Sequence, residues 1–74
     1  MNPLEGKIVD KIVFSNREVL RNKAEEGGNL LQYCSELHGE YDLDWILEKD
    51  SNGNEIARHN VKLLESIYWL STIK

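Results

Sequence analysis

Two apolar, aromatic-bearing runs flank Asn52-Gly53, and this arrangement constrains the fold more than any other feature of the chain. Leu43 to Lys49 alternates, with Trp45 and Leu47 on one face and Ile46 and Glu48 on the other. Asp50-Ser-Asn-Gly-Asn is a turn sequence, in which Gly53 and Asn52 can supply positive φ. Glu55 to Asn60 then returns antiparallel, with Ile56 and Arg58 on one face and Ala57 and His59 on the other. From Leu64, the cluster Ile67-Tyr68-Trp69-Leu70 favours a third extended segment. A helix capped by Asn60 with Leu63, Leu64, Ile67 and Leu70 on one side is the competing reading.

The first half reads differently. Lys7 to Phe14 is dense in β-branched residues and predicts a strand, although Ile8, Val9, Ile12 and Val13 also fit helical spacing. Ser15-Asn-Arg-Glu18 has the form of a capping box, which predicts a helix over 16–26 ended by Gly27-Gly28. Leu30, Tyr33, Cys34 and Leu37 fall at helical spacing and predict a second short helix stopped at Gly39. The alternative is a strand with Leu31, Tyr33 and Leu37 inward, making 30–70 a longer meander. The resulting expectation is one α+β domain over 1–74: a strand, one or two short helices, then an antiparallel three-stranded meander.

Seventy-four residues form a thin core, because a domain this small buries only about 60% of its unfolded surface. Cys34 is the single cysteine, so no internal disulfide can compensate. One cysteine and two histidines, His38 and His59, show no zinc spacing, and no metal or cofactor is expected. Self-association into a homo-oligomer is the expected compensation. With 41% apolar and 30% charged residues, the chain is too apolar for disorder. No apolar run reaches the ~18 residues of a membrane span. The opening Met-Asn-Pro-Leu-Glu-Gly reads as a short leader without signal-peptide character. A lone thiol fits a reducing compartment, so the expected location is cytoplasmic.

The net charge of −4 is uneven. Residues 36–55 hold seven acids against the single base Lys49, whereas residues 1–28 balance five against five. An acidic middle disfavours direct nucleic-acid binding and suits a protein partner with a basic surface. Glu40, Asp42, Asp44 and Glu48 are the residues expected to meet it. Against that reading stands a solvated acidic face that keeps the protein soluble.

Other constellations are weaker. Asp50 to Glu55 superficially suggests a calcium loop, but the twelfth position is Val61 and the glycine falls fourth. Cys34 and His38 could share a helical face, yet a cysteine on an apolar stripe is ordinarily inert. Asp42 and Asp44 are close carboxylates with nothing to complete an acid–base site. Gly27-Gly28 lacks the Lys-Ser or Lys-Thr of a phosphate loop. Arg58-His59-Asn60 with Trp45, Tyr68 and Trp69 could stack a base or hold a phosphate. Core burial of both tryptophans is the plainer reading, Trp45 more securely than Trp69.

The pattern Asp44-Trp-Ile-Leu, Asn52-Gly-Asn-Glu-Ile-Ala-Arg58-x-Asn60, Glu65-Ser-Ile-x-Trp69 resembles small acidic accessory proteins of phages and other mobile elements, over about a third of the chain. The resemblance implies a non-enzymatic protein. Such proteins inhibit host enzymes or defence complexes by direct binding, or sequester small signalling nucleotides between subunits. The first mode would use Glu40, Asp42, Asp44 and Glu48. The second would use an inter-subunit pocket of Arg58, His59, Tyr68 and Trp69.

Overall fold

The computed structural model describes residues 5–70; the first four residues of the expected leader, 1–4, lie outside them. The described chain is mostly antiparallel β-structure, without an α-helix. Its strands are β1 (Ile8–Phe14), β2 (Val19–Arg21), β3 (Leu30–His38), β4 (Tyr41–Lys49), β5 (Glu55–Asn60) and β6 (Leu64–Trp69). Two 3-10 turns, Ala24–Glu26 and Val61–Leu63, complete it. The α+β expectation is therefore overturned.

The helix expected over 16–26 fails at its supposed cap. Ser15 Oγ donates to the Leu63 carbonyl, and the Glu18 amide donates to Asn16 Oδ1 instead. Arg17 sits at φ 72°, a left-handed conformation that stops a right-handed helix before it starts. The Phe14 amide bonds the Glu18 carbonyl, so the segment is a hairpin turn returning β2 onto β1. In the second expected helix, residues 30–37, tertiary packing wins over helical spacing. Leu31 and Tyr33 are buried together, as period two requires, and the strand alternative is the one realised. Leu37 follows the same alternation but lies beyond the core, 76% exposed.

The three-stranded meander is also corrected. β5 pairs with β4 as expected, but β6 pairs with β1. Asn60 Oδ1 accepts the Lys62 amide and caps the Val61–Leu63 turn, which carries the chain across the open end of the sheet. At the β4–β5 turn Gly53 has φ 86°, while Asn52 keeps negative φ. Asp50 Oδ1 accepts the Asn52 and Asn54 amides there, which fixes the turn without positive φ at Asn52.

The sheet curls into a half-barrel. Ile12 pairs with both Leu20 and Ile67, and Val9 with both Leu31 and Trp69. β2 and β3 thus share one side of β1, and β6 takes the other. Bulges between β1 and β6 bend the sheet. Val9, Ile12, Leu31, Tyr33 and Ile46 fill the concave face, supported by Phe14, Leu20, Val61, Leu64 and Ile67. No helix among the described residues is long and apolar enough to cross a membrane.

Candidate functional site

β3 and β4 are longer than their neighbours, and this difference creates the most distinctive surface. Their ladder runs unbroken from Leu30↔Lys49 to His38↔Tyr41. β1 pairs with β3 only to Gln32, Gly6 and Lys7 extend the contact to Tyr33, and the Glu5 carboxylate accepts the Ser35 amide, while β5 reaches β4 only as far as Trp45. Among the described residues, 35–44 therefore project as a two-stranded arm tied at its base by Glu5. Gly39 at φ 68° followed by Glu40 makes its two-residue tip, with the glycine-first sign pattern of a type II′ turn.

The arm carries Glu36, Glu40, Asp42 and Asp44 and no lysine or arginine. Asp42 and Asp44 share the concave face with Ile46, by strand alternation. Ser35 Oγ donates to Asp44 Oδ1 at 3.2 Å, while Glu40 and Asp42 are exposed. Glu48 belongs elsewhere. It lies at the far end of β4, where Oε2 accepts from Asn29 and Oε1 lies 3.3 Å from His59 Nε2. The structure thus brings together three of the four acids singled out in the sequence.

The opposite, convex face of β4 carries Tyr41, Leu43, Trp45 and Leu47. Exposure rises along this stripe, from 8% at Leu47 to 66% at Tyr41. The cause is β5: Arg58 stands opposite Leu47 and Asn60 opposite Trp45, the Val61–Leu63 turn then follows close to β4, and no described strand pairs with Leu43 or Tyr41 on that side. The sequence reading missed Tyr41, Leu43 and Glu36. The signal was present in Gly39-Glu40, two turn residues between alternating runs.

The second candidate set does not converge within one chain. Arg58 lies over the Trp45 ring, 5.4 Å from its centroid. Its Nε and Nη2 donate to Glu55, and Nη1 donates to Glu36 at 2.6 Å. These hydrogen bonds, to Glu55 first and then Glu36, hold the guanidinium above its ordinary pKa. His59 faces inward, its ring edge-on to Phe14. Tyr68 lies under the Lys11 ammonium, and Trp69 packs against Tyr33.

The remaining chemistry is sparse. Burial is the main cause raising the Cys34 thiol above its usual range, with the carboxylate of Glu5 adding to it. The His38 side chain lies outside the described part, so its pairing with Cys34 does too. Trp45 Nε1 is shielded from solvent and meets no acceptor among the described residues. No group of three metal-ligating side chains is assembled among those residues. A hollow of about 250 Å³ beside β1, lined by Ile8, Leu30 and Leu70 with Asp10 at its rim, includes none of the candidate residues. Comparison with protein families, curated proteins and solved structures found no match.

Proposed function

We propose that this chain is a non-enzymatic binding protein whose acidic arm engages a basic surface on a macromolecule. The observation that carries this reading is the placement of Glu40, Asp42 and Asp44 on a projecting hairpin that contains no lysine or arginine, and among whose acids Arg58 from β5 pairs only with Glu36. Such a charge distribution speeds encounter with a cationic partner and repels acidic ones. The resemblance to phage and mobile-element accessory proteins extends the proposal: the partner is a host defence component, blocked by occupancy in the cytoplasm. A single free thiol supports a reducing compartment.

The test is charge reversal at Asp42 and Asp44, read on the complex retained through gentle purification and native mass spectrometry. The wild-type complex should dissociate as salt rises. The D42K/D44K variant should bind weakly and show a flatter salt dependence. Equal affinity and equal salt slope in the two proteins would remove the proposal.

A further inference from the structure

Resting on the acidic-arm reading, we propose that the β4 edge from Tyr41 to Asp44 accepts an extended segment of a basic partner as an added strand, in line with β5. The segment is one whose side chains alternate apolar and basic.

The geometry of β4 leads to this. β5 pairs with β4 from Lys49 to Trp45, and the Val61–Leu63 turn then departs from its line while staying close to β4, so no described strand pairs with Tyr41–Asp44 on that edge. Each edge of an antiparallel strand offers the N–H and C=O of alternate residues, ready for a new ladder. Residues opposite Tyr41 and Leu43 would fall on the convex face and cover the exposed end of the apolar stripe. Residues opposite Asp42 and Asp44 would fall on the concave face, where only cations fit. The pleat thereby writes a period-two preference.

The other open edges suit this role poorly. β5 and β6 each have one described strand neighbour, but each is bulged, at Ile56 and at Glu65, which breaks the spacing an added strand needs. β2 is three residues long. The β3–β4 ladder has no register shift along its whole length. A second copy of the arm is also disfavoured. Antiparallel pairing of this segment with itself sets Asp42 opposite Asp42 or Asp44, and like charges directly opposite are destabilising.

The test uses three acetylated, amidated hexapeptides: alternating lysine and valine, the same peptide N-methylated along one backbone edge, and alternating glutamate and valine. Each is titrated into the isotopically labelled full chain, with the amide spectrum as readout. The lysine–valine peptide should shift the Tyr41–Asp44 amides and bind about tenfold or more tighter than its N-methylated form. The D42N/D44N variant should weaken it by about tenfold, its own spectrum certifying the fold. Equal binding of the N-methylated peptide would overturn strand addition while leaving the acidic reading intact. So would shifts confined to β5 or β6, or no shifts at all. Equal binding of the glutamate–valine peptide would overturn the acidic reading and the side-chain preference with it.

Discussion

Arg58 is held over the indole of Trp45 by two carboxylates, a bidentate fork to Glu55 and a third bond to Glu36 on β3. This places a cation, an aromatic ring and two acids from three strands on one patch of the convex face. Leu47 stands opposite Arg58 on the same face and is buried although it points away from the core. An arginine so committed is a cover for apolar surface before it is a donor for ligands.

Arg58→Ala should therefore lower the thermal midpoint and shift Trp45 emission to the red, measured in a Trp69→Phe background. Arg58→Lys should restore little of either, because an ammonium cannot form the planar fork. Full recovery by lysine would show that charge alone matters at this position.

Acid should weaken the fold through two carboxylates, the half-buried Asp50 and the exposed Glu55. Asp50 is held below the ordinary range chiefly by the Asn54 amide, and Glu55 chiefly by its hydrogen bonds to Arg58. With the folded value below the unfolded one, their contribution is complete above the ordinary carboxylate range and disappears as pH falls through the folded value. Urea midpoints of D50N/E55Q should sit below wild type at neutral pH and converge with it between about pH 5 and pH 2. Parallel curves would contradict this.

Core and arm should respond unequally to substitution. Ile46→Val or Ile12→Val removes a methylene from a fully buried site and should cost about 0.5–1.5 kcal/mol in urea unfolding, with the m-value unchanged. Tyr41→Ser should change stability by less than about 0.5 kcal/mol, since the residue is mostly exposed. A large loss at Tyr41 would mean that the arm props up the fold.

The turns offer a matched pair. Gly39→Ala places a Cβ at φ 68° and should destabilise by about 1–2 kcal/mol. Arg17→Gly relieves the same kind of strain at φ 72° and should stabilise by up to about 1 kcal/mol, offset in part by backbone entropy. Thermal unfolding of both variants checks the opposite signs.

The second half of the chain was legible in its sequence because its alternation is clean and Gly53 punctuates it. β4, β5 and the extended character of β6 follow from residues 43–69 alone. The first half misled for a physical reason. Val19, Leu20 and Ala24, and then Leu30, Tyr33, Cys34 and Leu37, fit a 3.6 period, while Leu31, Tyr33 and Leu37 fit a period of two over the same stretch. Only the partners Ile12 and Ile46 decide between them. Local spacing cannot report which distant strand claims a segment, and so the pairing of β6 with β1 was equally hidden. Of the candidate acids, Glu40, Asp42 and Asp44 lie together on the arm, and charge density along the sequence points to all four alike. Glu48 stands apart because that density does not reveal the distance along a strand at which β1 and β5 stop.

β1 is flanked on both sides, and the partner on one side is the last strand described. Ile12 and Ile67 are neighbours in space yet separated by most of the chain. A nascent chain that has released β1 through β5 from the ribosome still leaves one flank of β1 unsatisfied and Ile67 missing from the core. Pairing over such sequence separation is slow, commonly milliseconds to seconds for β-rich domains. Synthesis and folding are therefore not graded together in this protein: the half-barrel closes only after β6 has emerged, and the unfinished chain is the form most open to proteases and chaperones.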